Sequence, residues 1–307
     1  MSCIRETGGA VPTRGQTILA ATLRGSLSVL LKPAFLSRSP VALQRRWLAA
    51  LSRVTLPARG VRRRPTVLGP VPVELTGDGQ RGTVLYLHGG GYVSGAPVTH
   101  RALTSHLARL ADASVAVADY RLAPEHPYPA ALDDAHQAYL ALLEKGHTPE
   151  RLAVAGDSAG GGLTLALLQR LRDEGQPLPA CALLFSPWVD LTLTQTPATA
   201  PGEAMLNRDW LEFAATAYAG EHRQAPEASP LLGNLNGLPP LLIQTGSDEI
   251  LANDSERLAD ALDQADCEAR YQRYPGRWHV FQLHAGVLHD ADLALAESRD
   301  FLHRHWR

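Results

Sequence analysis

Two kinds of hydrophobic pattern divide this chain near residue 65. Before that point, Ile18, Leu19, Leu23, Leu27, Leu30 and Leu31 recur three and four residues apart, and 41–54 repeats the spacing. Both stretches predict amphipathic helices. An arginine-rich segment, 59–64, ends at Pro65 and reads as a surface crossing. Beyond it, short apolar runs at 83–87, 114–118, 151–155, 182–185, 241–245 and 268–274 alternate with amphipathic stretches at about 99–111, 131–145, 159–173, 253–265 and 286–304. Such alternation predicts a mostly parallel sheet covered by helices on both faces. Several of the runs are apolar at every position, as strands buried on both sides should be.

The connection between the runs at 182–185 and 241–245 is too long for an unstructured loop in a compact domain. It is expected to hold helices, such as 209–218, standing over the sheet. At 307 residues the chain suits one large α/β domain with an insertion. The apolar stretch 17–31 follows Arg5 and Arg14 in the manner of a signal peptide. However, Arg24 interrupts it, no small-residue cleavage site follows, and it is too short to span a bilayer.

Charge narrows the function classes. A net charge of −2 gives no strong overall field for nucleic acid or an acidic membrane. Cys3, Cys181 and Cys267 are odd in number, far apart and without metal-ligand spacing. They read as reduced thiols, which places the chain in the cytoplasm.

The strongest chemical signal is Gly156-Asp157-Ser158-Ala159-Gly160, placed between an apolar run and an amphipathic helix. A strand turning sharply into a helix holds its turn residue in a strained conformation. The flanking glycines leave room for that turn, and the serine hydroxyl is pushed into the open as a nucleophile. A second signal is His88-Gly89-Gly90-Gly91-Tyr92, directly after the run 83–87. Acyl transfer builds negative charge on a carbonyl oxygen, and outward-facing amides stabilise it. The N–H groups of Gly89, Gly90, Gly91 and Ala159 are the candidate donors. A phosphate loop is excluded because no Lys-Ser/Thr follows the last glycine, and a dinucleotide fingerprint fails because Ser94 stands where its third glycine belongs.

A serine nucleophile needs a base and an acid later in the chain. The acid falls in Gly246-Ser247-Asp248-Glu249, where Asp248 and Glu249 compete. The base falls after the last apolar run, at His279, with His284 as the runner-up. His279 would take the Ser158 proton and return it to the departing alcohol.

Taken together, the motifs from Thr83 onward resemble the hormone-sensitive-lipase-like esterases, also called bacterial family IV. The resemblance rests on His88-Gly-Gly-Gly-Tyr-Val, Asp119-Tyr-Arg-Leu-Ala-Pro-Glu-His-Pro-Tyr-Pro-Ala-Ala, Gly156-Asp-Ser-Ala-Gly-Gly, Ser186-Pro-Trp-Val-Asp-Leu, Ser247-Asp-Glu-Ile-Leu and His279-Val-Phe. It implies the α/β-hydrolase fold, with an eight-stranded sheet and a helical cap. The cap would comprise 1–65 and an insertion at 188–235, and the catalytic domain 66–187 and 236–307. It implies hydrolysis of short-to-medium acyl esters of small molecules, without metal or organic cofactor, and pairing of two copies through the edge strand 268–274. It favours Asp248 over Glu249, although this chain has Asp-Glu-Ile-Leu where many relatives have Asp-Pro-Leu. It makes 119–131 a structural turn behind the oxyanion loop. Amide, lactone or carbamate hydrolysis by the same triad, and a non-catalytic ligand-binding role, are the alternative functions.

Overall fold

The nine strands of the computed structural model, which describes residues 3–9 and 13–307, form one sheet. They are β1 (Ile4–Thr7), β2 (Arg63–Leu68), β3 (Val71–Thr76), β4 (Gly82–Leu87), β5 (Ala113–Ala118), β6 (Leu152–Asp157), β7 (Cys181–Phe185), β8 (Leu241–Gly246) and β9 (Ala269–Tyr274). Their spatial order is β1-β9-β8-β7-β6-β4-β5-β3-β2. Every pairing is parallel except β2 with β3 and β3 with β5. Between the strands run α1 (Arg14–Leu30), α2 (Val41–Leu51), α3 (Arg101–Ala111), α4 (Ala130–Glu144), α5 (Ala159–Asp173), α6 (Arg208–Ala219), α7 (Ala252–Gln264) and α8 (His289–His305).

The uninterrupted apolar runs become the central strands. All side chains of β6, β7 and β8 are buried, because helices cover both faces. Successive residues feed opposite sides of the sheet. Leu183 and Leu242 join the larger core with α8 residues, while Leu184 and Ile243 join a smaller core under Leu165 of α5 and Leu258 of α7.

The sheet has nine strands rather than the expected eight. The additional strand comes from a segment read as part of the helical cap. Ile4–Thr7 pairs in parallel with β9, and Gly8 N–H continues the ladder to the Arg273 carbonyl at 2.8 Å. Glu6 and Arg270 form an ion pair across the two strands at 2.7 Å. Thus 1–65 is not wholly cap, and the edge through which two copies were expected to pair is occupied by β1. The expected start at 66 also falls inside β2.

The cap consists of α1, α2 and the insertion carrying α6. Two side chains join its halves. Asn207 Nδ2 donates to the Phe35 carbonyl at 2.9 Å, and Trp210 Nε1 donates to Gln44 Oε1 at 3.0 Å. The Phe35 and Trp210 rings meet edge to face at 4.7 Å. Among the described residues no helix is long and apolar enough to cross a membrane.

Candidate active site

Four loops converge at the carboxyl ends of β4, β6, β8 and β9, where ligands bind in open α/β sheets. The Ser158 loop is the most constrained. Ser158 has φ 53° and ψ −122° between the end of β6 and the start of α5. Its N–H donates to the Phe185 carbonyl at 2.9 Å, and its carbonyl accepts from Gly161, Gly162 and Trp188. A Cβ on Gly160 would lie 1.9 Å from the Leu87 carbonyl oxygen, so only glycine permits this approach of α5 to β4.

The oxyanion loop is held from below by Asp157, the buried neighbour of the nucleophile. Its carboxylate accepts from Tyr86 Oη at 2.8 Å, Gly89 N–H at 3.0 Å and His100 Nε2 at 3.2 Å. Burial would raise the Asp157 pKa, but His100 and the Tyr86 hydrogen bond outweigh it and keep the carboxylate ionised. Gly89 is therefore a structural member of the loop: its N–H is already spent on Asp157, contrary to the expectation that it faces the oxyanion. The N–H groups of Gly90, Gly91 and Ala159 have no acceptor among the described residues. Gly90 and Gly91 have φ of 124° and 62°, a conformation that side chains resist.

The 119–131 turn supports this loop. Tyr120 Oη donates to the His88 carbonyl at 2.6 Å, its ring stacks on His88 at 4.3 Å, and Ala123 N–H donates to the Tyr92 carbonyl at 2.9 Å. Arg45 of α2 reaches the Val93 and Ala123 carbonyls and pairs with Glu125, tying the cap to both segments. Burial depresses the His88 pKa to about 3, so this imidazole is neutral. Its Nδ1 faces the Gly89 carbonyl at 2.9 Å and must carry the proton.

The base loop follows β9. His279 is buried, and its Nδ1 lies 3.1 Å from Glu249 Oε2. Thr245 Oγ1 donates to the other oxygen, Glu249 Oε1. Burial alone would lower the His279 pKa. The Glu249 hydrogen bond and charge outweigh it, with smaller contributions from Glu203 and Asp157, and the pKa rises. Asp248, favoured by the resemblance, turns the other way. Its Oδ2 accepts from Arg24 of α1 at 2.8 Å, and its Oδ1 from Ser247 Oγ at 2.6 Å. The structure therefore brings Glu249 and not Asp248 to the imidazole.

His284, the rival base, has no carboxylate partner among the described residues. It is half-buried against Trp278, and desolvation lowers its pKa to about 4. Ser186 was missed as a site residue. Its Oγ accepts from Val280 N–H at 3.1 Å and fixes the residue after His279, which has φ 49°. In the sequence it stood only within the Ser186-Pro-Trp-Val-Asp-Leu motif of the resemblance, with no role attached.

Ser158, His279, Gly90 and Gly91 line one cavity of about 430 Å³. Its far walls are apolar: Leu23 and Leu27 of α1, Leu48 and Leu51 of α2, Met205 and Trp210 of the insertion. His279 Nε2 is buried, and neither it nor the Ser158 hydroxyl has a hydrogen-bond partner among the described residues. The structure brings the two to one cavity without joining them directly.

A protein family described as having the alpha/beta hydrolase fold matches residues 84–283. The chain belongs to that family. The hydrolase is 44% identical over 223 residues to an acetyl-hydrolase of Streptomyces hygroscopicus, covering 72% of this chain and 75% of the relative. It is 39% identical over 222 residues to an esterase of Acinetobacter venetianus, covering 71% and 73%. Among solved structures, an esterase of the bacterial hormone-sensitive lipase family superposes with a TM-score of 0.86 at 34% identity, covering 97% of this chain and all of that one. The hydrolase thus sits in the hormone-sensitive-lipase-like branch of carboxylesterases.

Proposed function

We propose that the hydrolase cleaves short-to-medium acyl esters through an acyl-enzyme formed on Ser158, with His279 as base and Glu249 as its acid partner. The observation carrying this reading is the His279 ring: its Nδ1 is held by a buried carboxylate, and its Nε2 is left unpaired in the cavity that Ser158 shares. With Glu249 accepting from Nδ1–H, Nε2 keeps its lone pair for the serine proton.

As Ser158 Oγ bonds to the ester carbonyl carbon, its proton passes to Nε2. The carbonyl oxygen, now negative, faces the free N–H groups of Gly90, Gly91 and Ala159. Collapse of the tetrahedral intermediate breaks the ester C–O bond, and Nε2–H protonates the departing alcohol. A water then repeats the sequence against the acyl-enzyme and frees the acid and Ser158.

The leucine-lined cavity suits an alkyl chain, and its volume limits how long that chain can be. The acetyl group in the name of the Streptomyces relative supports the short end of the range. Three thiols with no disulfide support a cytoplasmic setting. Ser158→Ala should abolish hydrolysis of a chromogenic butyryl ester while the circular dichroism melt stays cooperative. Retained turnover in that variant would exclude Ser158 as the nucleophile. A panel of acyl chain lengths should show rates falling once the chain exceeds the cavity.

A further inference from the structure

The near-zero net charge of this chain conceals a strong separation. Residues 1–65 contain twelve basic residues and one acidic residue, a net of +11. The rest of the chain contains seventeen basic and thirty acidic residues, a net of −13. Arg14, Lys32, Arg38, Arg46, Arg53 and Arg59 are exposed and form no ion pair among the described residues.

The same surface carries most of the exposed large apolar side chains among the described residues. On α1, Arg14, Ile18, Thr22, Gly25 and Val29 follow one helical stripe, with Val29 73% exposed. On α2, Leu43, Arg46, Trp47 and Ala50 form a second stripe, which Arg53 and Val54 prolong, with Val54 75% exposed. Trp47 Nε1 donates to the Leu30 carbonyl at 2.8 Å, which sets the α2 stripe beside the end of the α1 stripe. Leu30, Val54 and Leu56 are both exposed and part of the cavity wall, so the cavity opens through this face.

We propose that this face of the cap docks on an anionic lipid surface, with the cavity mouth against the lipid. Cations in the headgroup layer and an apolar stripe with an interfacial tryptophan are what such a surface selects. A nucleic acid would match the cations but not the apolar side chains between them, nor the opening of an apolar cavity at their centre. Docking would let an ester pass from the lipid to Ser158 without crossing water. The proposal does not depend on the assigned chemistry, because docking is measured without turnover.

The test is co-sedimentation of the full chain with vesicles of phosphatidylcholine alone and of phosphatidylcholine with phosphatidylglycerol. Binding should require phosphatidylglycerol, weaken as salt rises, and shift Trp47 emission to the blue. Each cation near such a surface strengthens partitioning by about fivefold. Arg38→Glu with Arg46→Glu and Arg53→Glu should therefore weaken binding by about 100-fold or more, while hydrolysis of a soluble butyryl ester and the melting curve stay unchanged. Leu43→Ser, which keeps every cation, should weaken binding and reduce the emission shift. Equal binding to both vesicle types, or no binding, would overturn the proposal. So would charge-dependent self-association without vesicle binding, which would make the face a contact between copies, and so would binding to duplex DNA in preference to vesicles.

Discussion

Glu249 and Asp248 are adjacent in sequence and serve opposite neighbours: Glu249 Oε2 lies 3.1 Å from His279 Nδ1, while Asp248 Oδ2 lies 2.8 Å from Arg24. Side chains of successive residues in a tight turn diverge, so only one of the two can reach the imidazole. The Thr245 hydroxyl holds Glu249 on the inward side, and the cap helix draws Asp248 outward.

The two carboxylates should therefore separate sharply in kinetics. Glu249→Gln should lower kcat by about 10,000-fold, as loss of a triad acid does. Asp248→Asn should cost about tenfold or less, because it weakens a partly exposed ion pair. Steady-state kinetics on a butyryl ester decides between them. A larger loss in Asp248→Asn would return that residue to the triad.

The raised His279 pKa sets the acid limb of the pH profile. The imidazole must be neutral to accept the Ser158 proton, so activity is present above its pKa and lost below it. The kcat/KM profile should thus fall, as pH drops, at a higher pH than for an ordinary imidazole. Glu249→Gln removes the charge that stabilises the imidazolium, so the residual activity should persist to lower pH. An unmoved acid limb in that variant would be inconsistent with the contact.

Asp157 offers a test of the loop that carries the oxyanion donors. In Asp157→Asn the amide keeps one acceptor oxygen, which can serve Tyr86 and Gly89, but it loses the negative charge and turns its NH2 toward His100 Nε2. Leaving a buried donor without its acceptor costs about 1–3 kcal/mol. Urea denaturation should register that loss. In protein that remains folded, kcat should fall more than KM rises, because the displaced loop stabilises the transition state rather than the bound ester.

Gly160→Ala probes the elbow without touching chemistry. The added methyl would sit 1.9 Å from the Leu87 carbonyl oxygen and 2.7 Å from that of His88, so α5 must move away from β4. Overpacking at such a site costs about 3 kcal/mol. The melting temperature should drop accordingly, and Ser158 should lose activity as its loop shifts. A variant of wild-type stability would show that the elbow can relax.

The local signals of this chain sufficed for its most local features. The fully apolar runs specified buried parallel strands, because nothing polar along them could face solvent. The elbow around Ser158 was legible because the glycines that permit it, Gly156 and Gly160, flank the serine, although Leu87, Phe185 and Trp188 complete it from afar. The 88–92 loop was legible as an oxyanion loop for the same reason, though not which of its amides remain free.

What the sequence could not contain is the choice between chemically equivalent groups. Gly89 resembles Gly90 and Gly91 until Asp157 folds beneath it and takes its N–H. Ile4–Thr7 is too short to announce itself as a strand, and becomes one only because the β9 edge offers it a ladder more than 260 residues away. Asp248 outranked Glu249 until Arg24, 224 positions distant, claimed it. In each case the deciding partner is brought close by folding of the whole sheet and cap. A hydrogen bond or ion pair is short-ranged, so its choice of partner exists only once those distances do.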